Sequence, residues 1–449
     1  MTTVHFGRRQ AGFTLIELMI ALVIGLIAMI GIVSLFGGTS RTNRLQEGLA
    51  RLQENGRFAV MRIESDLRMA SAQYCNDYAG NQHRGTAAPM WRDNPPWVYA
   101  ANLNLPDSGA PANPMQSVNA AGGRSTSSAT TNYGLSTRFF LQGFTCASGT
   151  TCTPALWNTA MFPPAGLADG RRVPNSDILT IRYLRGTGWP IQGIGNCTTS
   201  GSITLAPQPG DDPVNFTGNS LALLSDCHSP SIVPITGRSG NTLSVGNILP
   251  PEPPAGRFPS CSAIGERDVR VFNFTVDFVT VTYYLAFRTN DDPDTRPNAP
   301  GNLRLVPTLI RRENGVEQEL VRGVDRLDVR YGVRDNAGNL RYLTAAQVDS
   351  ANGGAIACPP KPDGVMPFPT IALAGEPGCL WRSVRRIEMH LLVNSGDEVP
   401  VLDNIGRSYR YMNVQVNPNE STPLPSGLLT NSYPRREFIA HASTRNKNP

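Results

Sequence analysis

Residues Gly12 to Phe36 form an uncharged, mostly apolar run interrupted by a single carboxylate, Glu17. A helix of about 20 apolar residues crosses the hydrocarbon core of a bilayer, and Leu18 to Phe36 supplies 19. A charge at that depth is costly and rare unless something satisfies it. The run therefore constrains the chain twice: it expects a membrane, and it expects a partner for Glu17. A cleaved secretory signal would have an apolar core of only about 7–15 residues followed by a small-residue cleavage site. This run is too long for that and has a glutamate at its entrance. A plain anchor fits the length and leaves Glu17 unexplained.

The rest of the composition points to a loop-rich β protein. Charged residues make up 17% of the 449, against 43 glycines and 37 prolines. That balance favours strands and turns over a helical bundle. The net charge of +5 is small for this length, so nucleic acid is an unlikely partner. All eight cysteines follow the apolar run, their number is even, and no Cys-x-x-Cys pair occurs. This pattern fits structural disulfides in an oxidising compartment better than zinc or dithiol chemistry. Eight cysteines allow 105 connectivities, so only the sequence-local pairs Cys146–Cys152 and Cys358–Cys379 are expected.

Gly-Phe-Thr-Leu-Ile-Glu at Gly12–Glu17, behind a short leader carrying Arg8 and Arg9, resembles the class III signal of type IV pilins and pseudopilins. The resemblance implies cutting by a prepilin peptidase on the cytoplasmic side, between Gly12 and Phe13, followed by N-methylation of Phe13. The basic leader agrees with the positive-inside rule. Glu17 would then be the fifth residue of the mature chain. The new α-amino group of Phe13 is a cation that a carboxylate can pair with among packed helices. In the family's assembly model the glutamate of an incoming subunit pairs with the amino terminus of its neighbour. Such a pair sets register between otherwise featureless apolar helices.

No proline precedes Pro89, so one helix is expected from Phe13 to about Tyr74, with Gly37-Gly38 as a weak point. Beyond Ser40, Leu45, Leu49, Leu52, Gly56, Val60, Ile63, Leu67 and Ala70 recur at intervals of three and four, a single helical stripe. Arg41, Arg44, Glu47, Arg51, Glu54, Arg57, Glu64 and Asp66 fall largely off it. Leu52–Ala59 and Asp66–Ala70 resemble the helix of PilW-type minor pilins. Ser176–Ile181, Leu223–Cys227 and, most clearly, Val321–Val333 look like that family's strands, and Trp381 with Val384–Ile387 and the closing Arg435–Phe438 with Arg445-Asn446 are similar as well. The resemblance is patchy, but it runs the length of the chain. Residues 80–175 depart from it, and the head exceeds a usual minor-pilin head.

The fold expected is α+β and pilin-like: a long N-terminal helix, membrane-spanning in its first half, on a β-rich periplasmic head with an irregular insertion. The segments are a leader (1–12), a transmembrane helix (13–36), its periplasmic continuation (37–75), a variable loop-rich β region (76–270) and a β-rich head (271–449). Alternation predicts strands from Phe272 through Phe287 and over Val384–Val393, with a last strand around Phe438, Ala440 and Ala442. The stretch 84–132 is expected to be irregular.

Catalytic and metal patterns are missing. His5, His83, His228, His390 and His441 lack metal-ligand spacing, and no nucleophile elbow, phosphate loop or His-Glu-x-x-His occurs. His390 reads as a surface or packing residue, Asp291-Asp292-Pro293-Asp294 as an exposed turn, and Arg311-Arg312 and Arg435-Arg436 as solvated. No cofactor is expected. The resemblance implies a minor pilin in the priming or tip complex of a type IV pilus, serving motility or adhesion. Its partners would be prepilin peptidase, other minor and major pilins, the inner-membrane assembly platform and membrane lipid. A type II secretion pseudopilin and a tip adhesin or DNA-uptake module are the alternatives.

Overall fold

A computed structural model of the chain describes residues 12, 14–71, 97–100, 133–134, 139–148, 151–156, 162–195, 201–208, 215–225, 231–246, 269–289, 305–335, 337–357, 378–395, 408–416 and 434–444. Helix α1 runs unbroken over Leu15–Met69, about 80 Å at 1.5 Å per residue. Gly37-Gly38 does not interrupt it. It stops short of the expected Tyr74. Ala70 turns extended (ψ 130°), its N–H bonds back to Leu67 O, and Ser71 takes a left-handed φ of 66°.

Among the described residues, ten strands precede residue 250: β1 Trp97–Val98, β2 Tyr133–Gly134, β3 Leu141–Ser148, β4 Thr151–Thr153, β5 Ile178–Leu184, β6 Trp189–Gly195, β7 Gly201–Leu205, β8 Leu221–Ser225, β9 Ser231–Ser239 and β10 Thr242–Val245. Next come β11 Arg270–Asn273, β12 Phe278–Thr289, β13 Leu305–Glu313, β14 Val316–Arg322, β15 Val324–Arg334 and β16 Leu340–Leu343. A short helix α2, Ala345–Asp349, and a 3-10 turn, Cys379–Ser383, lead to β17 Val384–Asn394. The last are β18 Tyr409–Tyr411, β19 Val414–Val416 and β20 Arg435–Ser443.

Two sheets hold α1. One has the order β14-β13-β12-β5-β3-β4, the other β16-β15-β17-β20. A single apolar core joins them to the helix through Leu52, Ala59, Ile63 and Leu67 on one side and residues such as Tyr283, Leu309, Met389 and Leu391 on the other. Leu52, Ile63 and Leu67 are each at most 1% exposed, so burying them contributes about 1.5–3 kcal/mol apiece. The buried stripe is rotated from the expected one: Ala59 is buried and Leu49 is 39% exposed. Gly56 has a packing reason, since a Cβ there would lie 2.4 Å from the Phe438 ring.

The third sheet is a module of its own. Strands β10-β7-β6-β11-β8-β9 run in that order and β9 pairs back to β10, so six antiparallel strands close into a ring. Closure removes the unpaired edges that an open sheet would expose. Ile203, Leu224, Ile235 and Leu243 are among the side chains that fill it. This small barrel is inserted between β5 and β12. Leu184 and Phe278 are opposite partners, and Arg185 N–H donates to Asp277 O. A second apolar cluster docks it on the head, with Phe139 and Phe278 rings stacked at 5.3 Å.

Two expected strands are corrected here. The run from Phe272 to Phe287 is two strands in different sheets, because a turn at Phe274–Asp277 separates β11 from β12. Asp277 Oδ2 accepts from Asn273 N–H and Asn273 Oδ1 accepts from Thr275 N–H, the local side-chain bonding that builds turns. The boundary at residue 270 also cuts shared structure, since β5 pairs with β12 along Leu179–Leu184. The strand expected over Val321–Val333 is divided at Gly323, whose φ is +81°, between β14 of one sheet and β15 of the other. β17 keeps the expected face, with Ile387, Met389, Leu391 and Val393 buried, and β20 is the expected last strand. The leader, Phe13, residues 84–96 and 101–132, Cys358 and Asp291–Asp294 lie outside the described residues.

Candidate functional site: the N-terminal helix and its seat

Thr14 sits in extended backbone (φ −73°, ψ 148°) and caps α1. Its hydroxyl accepts from Glu17 N–H at 3.3 Å, while Glu17 Oε2 accepts from Thr14 N–H at 3.0 Å and from the Thr14 hydroxyl at 2.9 Å. This reciprocal capping box satisfies donors that the first helical turn would leave unpaired. A carboxylate there also suits the positive end of the helix dipole. Both acceptor contacts use Oε2, and neither uses Oε1. The large apolar residues of α1 from Leu15 to Phe36 are all more than half exposed. Among the described residues α1 is the one helix long and apolar enough to cross a membrane.

At the other end α1 is seated by a charge. Asp66 is 4% exposed, against the expectation that it lies off the buried stripe. Arg311 Nε donates to Asp66 Oδ2 at 2.6 Å, Nη2 donates to Oδ1 at 3.3 Å, and the Tyr283 hydroxyl donates to Oδ2 at 2.5 Å. Arg311, expected to be solvated, has a side chain 1% exposed, and its Nη1 also meets Glu313 Oε2 at 2.6 Å. Arg185 closes the chain on Glu313 at 2.6 Å. Burial works against the Arg311 charge, but the Asp66 and Glu313 carboxylates outweigh it and hold its pKa above the usual value. Burial and the Asp66 carboxylate together push the Tyr283 hydroxyl up.

Two further buried carboxylates tie strands together, Asp177 between the two sheets and Asp325 within the sheet of β15, β17 and β20. Asp177 accepts from Cys146 N–H at 3.1 Å and from Val329 N–H at 3.0 Å, so it bridges β3 and β15 across two sheets. Burial pushes its pKa up to about 7 and the Asp328 carboxylate adds to that, with the two N–H donors opposing. Asp325 binds Arg435 Nε at 2.7 Å, both side chains being at most 3% exposed, and Asn394 Nδ2 donates to it. Arg435 is thus a second arginine expected in solvent and found buried. His390 is buried, and its Nδ1 lies 2.7 Å from Glu437. A disulfide joins Cys146 to Cys152 with a Cα–Cα distance of 4.1 Å. Among the described residues no group of three His, Cys, Asp or Glu is arranged to hold a metal ion.

The buried partners of Asp66, Asp177 and Asp325 are far off in sequence, and composition carried no signal for them. Only the helical position of Asp66, beside the apolar stripe, could have drawn attention to it.

Comparison with known proteins meets this geometry at both ends. Residues 7–33 match the prokaryotic N-terminal methylation motif, and residues 288–446 match the family described as Type IV Pilus-assembly protein W. A pilin-like protein, PilA3 of Thermus thermophilus, is 32% identical over 81 residues, 18% of this chain and 34% of that one. The chain therefore spans about a third of the length of that relative. No solved structure matches. The barrel, between residues 189 and 273, lies outside both family matches.

Proposed function

We propose that this chain, a PilW-type type IV minor pilin by its methylation motif and its assembly domain, joins the complex that primes or tips the filament. Pilin families are structural, and the role assigned is assembly without catalysis. The observation that carries this reading is the pairing of the motif around Gly12, Phe13 and Glu17 with a helix whose entire apolar half is bare. A surface of that size needs either lipid or the helices of other subunits.

In this reading prepilin peptidase cuts between Gly12 and Phe13, and the head stands in the periplasm with the apolar half of α1 in the inner membrane. On assembly Glu17 exchanges its contact with Thr14 for the α-amino group of a neighbouring pilin, as the α-amino group of Phe13 can serve another subunit's glutamate. The outward face of α1 beside the head supports pilin partners too: Phe58, Met61 and Met69 are 48%, 59% and 41% exposed. The barrel joins the head where Ser71 N–H meets Arg182 O, at the opposite end of α1 from its apolar half. A bulky module there suits a terminal position better than one inside a packed shaft.

Glu17→Ala is the test. Cleavage and membrane residence stay normal, while piliation and incorporation into sheared filaments drop severely. Unchanged piliation would sink the pairing role. Scoring secreted enzymes in the same strains separates the rival: intact pili with lost secretion would make the chain a type II secretion pseudopilin.

A further inference from the structure

The face that α1 turns to the head is smooth. Gly48, Leu52, Gly56, Ala59, Ile63, Leu67 and Ala70 are buried along it, and a slip of one turn, about 5.4 Å, sets one apolar or small residue where another was. Apolar burial is non-directional, so it discriminates poorly between such positions. The Phe438 ring packed on Gly56 adds a steric preference, which a change of rotamer relieves only at a cost. Asp66 is the buried charged side chain in this face, and its two oxygens are held by three donors from Arg311 and Tyr283, while Glu64 beside it takes a single N–H from His441 at 3.3 Å. Arg311 is itself fixed by Glu313 and by Gln318 Oε1 at 3.3 Å.

A one-turn slip would strip this carboxylate from its fork, leaving the Asp66 charge buried without its partner and Arg311 with Glu313 and Gln318. Breaking a buried pair in that way is strongly destabilising, more so than exchanging one apolar contact for the next. The pair therefore decides the register, a role for which buried charges are well suited.

We propose that Asp66 and Arg311 are positioning residues for assembly: their buried pair fixes the register of α1 on the head and so the distance from the head to Glu17. About 74 Å of unbroken helix separates Asp66 from Glu17. A slip at the seat carries Glu17 along by the same ~5.4 Å, more than the whole reach of an ion pair. The link to assembly rests on the role proposed above for Glu17. The link to register stands on the geometry alone.

A disulfide across the seat reads the register directly. A Cβ at Gly48 would lie 3.5 Å from Ser395 Cβ, within bridging range, so Gly48→Cys with Ser395→Cys should cross-link in the full-length, membrane-inserted chain. Peptide mapping gives the yield. Asp66→Leu with Arg311→Leu removes both charges and keeps the site apolar. The expected result is a several-fold fall in the 48–395 cross-link while the head still unfolds cooperatively. Wild-type yield in that variant overturns the proposal. Should it not accumulate, Arg311→Lys keeps the charge and loses the two-point fork. It is read the same way, with a smaller fall expected and wild-type yield again overturning the idea. Filament incorporation is scored alongside. Loss of cross-link with normal incorporation upholds the register role and counts against the proposed role of Glu17.

Discussion

At the scale of single residues, buried carboxylates organise this head. Asp177 spends both oxygens on backbone N–H groups from two different sheets, and burial raises its pKa to about 7. A carboxyl raised in the folded state stabilises the fold in its protonated form. Its contribution is complete below the ordinary carboxylate range, near pH 4, and is lost as pH rises toward 7. Urea unfolding between pH 4 and pH 8 should therefore show stability falling across that window, by an amount on the order of a few kcal/mol. Asp177→Asn should flatten the slope and lower the plateau at pH 4, because the amide places a donor against one of the two N–H groups. A wild-type curve flat from pH 4 to pH 7 would refute the assignment. None of this was legible in the sequence. Asp177 lay in a segment read as a strand, and Arg311 and Arg435 stood in doublets that look solvated. Each arginine is committed to an aspartate far away in the chain, 245 residues in one case and 110 in the other, and pairing over such separations leaves no periodic trace.

At the scale of elements, the strong periodic signals survived and the weak punctuation did not. The α1 run and the β17 alternation are long, and their apolar sets face one way, so packing could only reinforce them. The break between β11 and β12 was hidden because Phe272, Phe274 and Phe278 keep step across it while Asn273 and Asp277 fold the turn. The end of α1 was hidden likewise, for nothing near Met69 announces a stop. Gly56 shows how packing overrides propensity. In an exposed helix Gly→Ala gains about 1 kcal/mol. Gly48→Ala should show that gain, since its nearest neighbour would be Ser395 Cβ at 3.5 Å. Gly56→Ala should instead cost about 1 kcal/mol or more, the usual scale of overpacking, because its Cβ would enter the Phe438 ring. Phe438→Leu should recover part of the loss. Thermal unfolding of the four proteins decides it, and equal shifts for the two glycines would show that the ring moves freely.

At the scale of the whole molecule, the methylation motif and the assembly domain bracket a stretch that neither family match reaches, and the barrel occupies much of it. It was invisible as a barrel because its strands are short, carry many glycines, serines and threonines, and are interrupted by two long connections, 206–220 and 246–269. What the sequence showed was only a loop-rich β region. The joints, however, are favourable for removal. Leu184 and Phe278 are cross-strand partners and Arg185 donates to Asp277, so replacing residues 186–276 by Asn-Gly should convert β5 and β12 into a two-residue hairpin. The docking cluster would then be bare, which calls for Phe139→Thr and Phe278→Thr beside the excision. β1 would also lose its parallel partner β9. The core around α1 draws on none of the barrel strands, so the shortened chain should still insert, be cleaved and unfold cooperatively at nearly the same temperature. Loss of the protease-resistant head would mean that the barrel is structural. If the head survives, pili carrying the shortened subunit give the functional answer: normal filaments with lost surface attachment would assign attachment to the barrel, and lost filaments would place it in the assembly complex itself.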